Sequence, residues 1–394
     1  MPRVYLVPGF LGTELWSDPE LLTKIWLSYS EILLGRMGKM RLAIDGTSPG
    51  FPGGIPLYGG QPIPEFWGFP ALQLNSQLGS DWTVTMWGFD WRKELYSSGQ
   101  ALANHINAHV SLSDPCSLVG HSTGGLVCRA AWHAAGVGGF QGKIRRIVTL
   151  GTPHQGTYLA AVAFSGAAPY IRDALVVNGL GQQMDWSQFV PDYFLGMTGD
   201  YLADLAASWP SLYELLPTSG SPDSASDPNR DILYNSTAWV GRPLVRQSWL
   251  DYARTTWAEW LLSPASMPPA WVLTTVAGIY SLTPARLVYP NLLGQDGSTG
   301  GGDDGDSVVT RSSAIVADSA VYTCAVSHNA LVQYSTDQEM LAGWITDVRL
   351  APSPAPPVQA ISLQGSLNVG SVIGWGSTSA NLTGAACLLG KCHC

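Results

Sequence analysis

Ser117-Leu118-Val119-Gly120-His121-Ser122-Thr123-Gly124-Gly125, followed by the apolar stretch Leu126–Ala135, is the segment on which the reading of the chain turns. Ser117–Gly120 is a short apolar run of strand type. Leu126–Ala135 has helical composition. Between them Gly120 to Gly124 spell G-x-S-x-G, and a strand–turn–helix setting is the context in which that motif carries chemistry. A side chain on so tight a turn needs glycine on both sides, because a Cβ there would collide with the adjoining backbone. Ser122 is therefore expected to stand at the sheet edge, above a helix N-terminus with free N–H groups and a positive dipole end. Its expected role is that of a nucleophile.

Outward from this turn, short apolar runs recur at Val4–Val7, Trp82–Met86, Ser117–Gly120, Ile144–Leu150, Val272–Ala277 and Val321–Val326. Near-continuous runs of this length suit strands buried on both faces. Helical stretches such as Gln100–Val110 and Gly124–Ala135 lie between them. The alternation predicts an α/β fold, with a mainly parallel central sheet flanked by helices. It assigns residues 1–156 and 270–350 to the core and 157–269 to an inserted, mostly helical cap. Within the cap, Trp249, Ala253, Trp257 and Trp260 recur at helical spacing, a stripe that is more often core than ligand site and that also fits a cover over a cleft. Residues 351–394 begin with APSPAPP, a stiff extended linker, and continue as a Gly/Ser-rich tail.

A serine hydroxyl attacks only when a base takes its proton, and that base is usually a histidine oriented by a carboxylate. In chain order after this motif, the acid precedes the histidine. His328 directly follows the run Val321–Val326, at a strand end, and is the expected base; His393 sits in a cysteine-crowded terminus. The segment GGGDDGDSVVT (Gly300–Thr310) supplies the acid, with Asp306 ranked first, Asp304 second and Asp296 third. Two N–H donors must stabilise the developing oxyanion. Thr123, next to the nucleophile, is one; Phe10, in the loop Pro8–Gly12 after the first strand, is the other. His105 and His109 stand four apart on one helix without an evident third metal ligand, so a helix surface is the simpler reading. His121 is expected to point away from Ser122, and His154 to line the cleft.

The chain has 394 residues and a net charge of −9, a sign that argues against nucleic acid as a partner. Charged residues are 12%, about half the usual ~25%. Sixteen tryptophans suit either core packing or an apolar substrate surface. No apolar run reaches the ~18 residues of a spanning helix. The opening MPRVYLVPGFLG lacks the features of a signal peptide. Cys116, Cys128 and Cys324 read as buried free thiols, and Cys387, Cys392 and Cys394 crowd the terminus with a spacing that fits no standard zinc pattern. Cytoplasm is the favoured compartment. No metal and no organic cofactor are expected.

Several segments, taken in order, are similar to a known family. They are VPGFLGTEL (Val7–Leu15), GFDWR (Gly88–Arg92), VGHSTGG (Val119–Gly125), LGTPHQG (Leu150–Gly156), PSLYELLP (Pro210–Pro217) and GDSVVTRSS (Gly305–Ser313). On these the chain resembles the lecithin–cholesterol acyltransferase-like branch of the α/β-hydrolases and, more loosely, bacterial triacylglycerol lipases. The resemblance implies the α/β-hydrolase fold. It also implies a serine carboxylic-ester hydrolase of the lipase/esterase kind, working through an acyl-enzyme on small-molecule or lipid esters, or an acyltransferase using an alcohol acceptor. It puts the triad acid on Asp306, the histidine on His328 and the first oxyanion donor on Phe10. Any contact with a lipid surface would be transient and made through the cap. Two departures stand out: Pro8-Gly9 replaces the His-Gly of bacterial lipases, and His154 replaces a Trp of the eukaryotic acyltransferases.

Overall fold

Six of the apolar runs lie side by side in the computed structural model of the chain. It describes residues 1–17, 23–26, 28, 31, 36–50, 54–165, 199–218, 230–263, 266–287 and 299–346. Asp296 and the whole of 351–394, with Cys387, Cys392, His393 and Cys394, lie outside the described residues. The strands are β1 (Arg3–Val7), β2 (Thr13–Trp16), β3 (Lys24–Trp26), β4 (Tyr58–Pro62), β5 (Thr83–Met86), β6 (Cys116–His121), β7 (Ile144–Leu150), β8 (Leu273–Gly278), β9 (Ser281–Leu287), β10 (Thr299–Gly305) and β11 (Ala320–Cys324). The central sheet runs β5–β1–β6–β7–β8–β11, parallel throughout. After β1 the chain pairs to one side through β5, then crosses to the other through β6. The loops leaving β1 and β6 thus adjoin at a topological switch point, where open α/β sheets bind ligands.

The sheet is apolar on both faces because each face is covered. In β1, Tyr5 and Val7 join one buried cluster while Val4 and Leu6 join the other. The period of two along a strand divides them. Helices α1 (Pro64–Leu78), α2 (Leu95–His109) and α3 (Thr123–Val137) follow β4, β5 and β6. Leu102, Ile106, Leu126 and Val127 of α2 and α3 belong to the first cluster. Trp67 and Leu74 of α1 belong to the second, with Leu331 and Trp344. Helix α2 starts earlier than the expected Gln100, because the Glu214 carboxyl accepts the Leu95 N–H at 2.7 Å and completes its first turn. The short antiparallel sheet β3–β2–β4 had no signature in the sequence.

The inserted region contributes α4 (Tyr158–Ser165), α5 (Gly199–Ala206), α6 (Pro210–Glu214), α7 (Gln247–Tyr252) and α8 (Ala258–Leu262), with one π turn, Ala253–Trp257, joining the last two. The tryptophan stripe is packing. Leu250, Ala253, Trp257 and Leu261 are buried, while Trp249 and Trp260 lie half-buried against them. Phe164, Trp209 and Trp257 share one apolar cluster with Val7 and Leu126 of the core. Each such side chain removed from water contributes about 1.5–3 kcal/mol. Arg129 of α3 is buried and donates to the Leu261 carbonyl at 2.6 Å, so a core cation closes the end of α8. Burial lowers its pKa to about 10, which leaves it charged at neutral pH. Helices α9 (Arg311–Ala314), α10 (Ala330–Asp337) and α11 (Met340–Thr346) complete the described chain. Among the described residues, no helix is long and apolar enough to cross a membrane.

Packing predicts opposite outcomes for two glycines. A Cβ on Gly124 would lie 2.3 Å from the Val7 carbonyl oxygen, whereas one on Gly68, inside α1, would meet nothing within 4 Å. Gly124→Ala is expected to cost about 2 kcal/mol or more in urea unfolding. Gly68→Ala should stabilise by up to ~1 kcal/mol, the helix-propensity difference between the two residues. Equal midpoints for the two variants would contradict the close approach.

Candidate active site

Ser122 links β6 to α3 with φ 55° and ψ −128°. For a residue with a Cβ this conformation costs about 1–3 kcal/mol and persists only when its surroundings impose it. They do so here. The Ser122 N–H donates to the Leu150 carbonyl at 2.8 Å, and its own carbonyl accepts the Gly125 N–H at 3.0 Å. The loop after β1 presses on the turn from the other side: a Cβ on Gly9 would lie 2.7 Å from Ser122 Cβ. The Phe10 and Thr123 N–H groups have no acceptor among the described residues. Thr123 opens α3, where the first N–H groups have no intrahelical partner.

Asp306 follows β10 and is fully buried; His328 follows β11 and is 5% exposed. The His328 Nδ1 lies 2.7 Å from Asp306 Oδ2. The other carboxylate oxygen accepts the N–H groups of Val308, at 3.0 Å, and Val309, at 2.7 Å. The His328 N–H donates to the Asp306 carbonyl at 2.9 Å. With both oxygens engaged the carboxylate cannot rotate, so it presents one oxygen to the ring. That fixes the proton on Nδ1 and leaves Nε2 as the basic nitrogen. Gly151, at φ 56°, stands beside the pair: a Cβ there would lie 2.8 Å from Asp306 Oδ2 and 3.0 Å from His328 Nδ1. Leu150, which accepts the Ser122 N–H, is its chain neighbour. Ser122, His328 and Asp306 therefore gather at the C-terminal edge of the sheet. Among the described residues, no hydrogen bond joins the Ser122 hydroxyl to the imidazole.

Of the other singled-out residues, His154 departs from its expectation and His121 makes a contact beyond it, while His105, His109 and the three described cysteines lie where they were expected. His121 faces His328: its Nε2–H donates to the His328 carbonyl at 2.9 Å, and the ring centroids are 4.7 Å apart. Nothing in the sequence signalled this contact across 207 residues. His154 does not line a cleft. It is buried, with Nδ1 3.2 Å from Arg129 Nη1 and Nε2 3.0 Å from Thr149 Oγ1. Arginine only donates, so His154 accepts at Nδ1 and donates from Nε2. Asp303 and Asp304 are exposed on β10, paired with Thr283 and Leu282 of β9. His105 and His109 stack at 4.3 Å on α2. Cys116, Cys128 and Cys324 are free and buried.

This sheet order, with the serine turn after β6 and an Asp–His pair at the same edge, defines the α/β-hydrolase fold with an inserted region. Residues 96–165, from α2 through Ser122 to the end of α4, match the family described as PGAP1-like alpha/beta domain. Comparison with curated protein sequences found no match. Among solved structures, a chain of the Tle4-Tli4 complex aligns with TM-score 0.51 at 13% identity, over 88% of this chain and 98% of that one. The lipase BlEst2 of Bacillus licheniformis, in mature form, aligns with TM-score 0.38 at 13% identity, over 86% and 91%. A thermostable carboxyl esterase from Bacillus coagulans, in complex with glycerol, aligns with TM-score 0.25 at 14% identity, over 88% and 89%. The first is a likeness of fold. The family match is to the PGAP1-like domain, where the motifs had suggested the lecithin–cholesterol acyltransferase-like branch.

Burial, and after it the neighbouring His328, hold the His121 pKa down at about 3. The unfolded chain, with an imidazole near ~6.5, binds a proton that the folded chain refuses between these values. The contribution of His121 is thus intact above about pH 6.5 and is lost as pH falls, by up to ~1.4 kcal/mol per pH unit. Urea unfolding between about pH 6 and pH 4 is expected to show a slope shallower by roughly that amount in His121→Gln. Identical slopes would mean that the folded protein holds this ring charged.

Proposed function

We propose that the protein is a serine carboxylic-ester hydrolase acting on apolar acyl esters through an acyl-enzyme. The observation that carries this reading is the 2.7 Å contact between His328 Nδ1 and Asp306 Oδ2, at the sheet edge that also holds the strained Ser122 turn. In this mechanism Ser122 Oγ attacks the ester carbonyl carbon while His328 Nε2 takes its proton. Asp306 holds the ring in the tautomer that permits this and stabilises the imidazolium. The Phe10 and Thr123 N–H groups receive the oxyanion, each donor lowering the barrier by ~3 kcal/mol. The imidazolium then protonates the departing alcohol, and His328 activates water to release the acid. His121 supports this cycle: as a neutral ring it lets the adjacent His328 become charged without like-charge repulsion.

Acyl transfer to an alcohol would use the same acyl-enzyme and differ only in the acceptor. The ordered segments shared with lecithin–cholesterol acyltransferase-like proteins are what favours that second reading. The three buried free thiols support a reducing compartment, and we place the protein in the cytoplasm.

A panel of p-nitrophenyl esters from acetate to palmitate tests the activity, with a long-chain alcohol added to reveal transfer. Ser122→Ala and His328→Ala are each expected to lower kcat by about 10⁴-fold or more; Ser122→Ala should leave the unfolding midpoint near wild type, whereas His328→Ala takes the ring partner from the buried Asp306 carboxylate and should lower it. Asp306→Asn should lower it by roughly 10⁴-fold through the wrong tautomer. Wild-type protein should be labelled by a fluorophosphonate at Ser122. Turnover that survives Ser122→Ala would remove this serine from the mechanism.

A further inference from the structure

The loop that supplies Phe10 is held by a residue outside the site. Leu11 has φ 64°, a left-handed conformation rare for leucine. Its carbonyl accepts the Trp26 indole N–H at 2.8 Å, in a buried contact. The N–H of that same peptide group, belonging to Gly12, donates to the Gly9 carbonyl at 3.0 Å. The next peptide group in this chain is Gly9–Phe10. A trans peptide aims its N–H opposite to its carbonyl, so with the Gly9 oxygen taken by Gly12, the Phe10 N–H faces the other way. It has no acceptor among the described residues.

We propose that Trp26 is a positioning residue of the oxyanion hole, acting through a relay that runs from its indole N–H through the Leu11–Gly12 peptide and the Gly9–Phe10 peptide to the substrate oxyanion. The inference rests on the ester-hydrolase reading above. Two effects combine. The relay locks the orientation of the Gly9–Phe10 peptide, which would otherwise have to be ordered as charge develops. Hydrogen bonds in series also polarise one another, so a donor at one end strengthens the donor at the other. The indole is itself immobile, because Trp26 is 2% exposed and packs edge-on to Trp91, with ring centroids 5.9 Å apart. Trp239 provides an internal comparison. Its indole N–H donates to the Leu233 carbonyl at 3.0 Å, an equivalent buried bond in the inserted region that lies outside the relay. The Gly12 carbonyl is taken by the Ile63 N–H at 3.0 Å, also outside it.

The test compares Trp26→Phe with Trp239→Phe in the full chain, each keeping an aromatic ring and losing one N–H donor. Both should lower the urea midpoint. Only Trp26→Phe should lower kcat, by roughly 3- to 30-fold with KM nearly unchanged, since complete loss of such a donor costs about 10²–10³-fold. It should weaken inhibition by a trifluoromethyl ketone, which forms an oxyanion on Ser122, by a similar factor. If Trp26→Phe does not fold, benzothienylalanine at position 26 keeps the indole shape without the N–H and is expected to give the same kinetics. Equal kcat losses in the two variants, or an unchanged kcat and inhibitor affinity at position 26, would reduce Trp26 to a packing residue and overturn the proposal. A wild-type protein that neither hydrolyses esters nor reacts with fluorophosphonate at Ser122 would instead overturn the underlying reading, and the proposal with it.

Discussion

The contact between the loop after β1 and the first turn of α3 is the constraint on which the rest depends. Gly124 lets the Val7 and Pro8 carbonyls approach where a Cβ would stand 2.3 and 2.4 Å away. Gly9 lets its own backbone lie against Ser122. Together they bring two kinds of free N–H group, one from a helix start and one from a loop, to the same side chain. Neither element could do this alone. A helix N-terminus offers a diffuse positive end, and a loop offers an N–H whose direction depends on its neighbours. Their juxtaposition turns both into fixed dipoles, and fixed dipoles need no reorganisation when charge appears.

Around this contact the buried polar groups divide by charge. Asp306 faces two backbone N–H groups and one imidazole, so each of its oxygens is occupied. His121 is kept neutral by burial while donating to the His328 backbone. Arg129 is a buried cation with no carboxylate partner among the described residues; it relies on the Leu261 carbonyl and the neutral His154 ring. A buried charge without partners would be costly. These bonds tie the helix that follows Ser122 to the inserted region, so burial of the aromatic stripe and the position of Ser122 belong to one packed unit.

Much of the fold was legible because its signals are local. The run Ile144–Leu150 is β7 residue for residue, and the small residues around Ser122 mark a turn that only a strand and a helix can flank. Asp306 was set above Asp303 and Asp304 by its nearness to Val308-Val309 and by the resemblance of its segment, and those two valines are the ones whose N–H groups it binds. His121, His154 and Trp26 were not legible. Each acts through a single bond to a group far along the chain or across a turn, and one such bond leaves no periodicity behind.

The alternation of the six central strands with their helices, the serine on its turn and the succession of serine, acid and histidine follow from the sequence alone, because hydrophobic period and glycine placement act over a few residues. Which carboxylate meets which ring, which imidazole stays neutral and which indole reaches the loop beneath Phe10 were decided by tertiary structure. Those outcomes depend on distances between segments that only the assembled sheet brings within reach of a hydrogen bond.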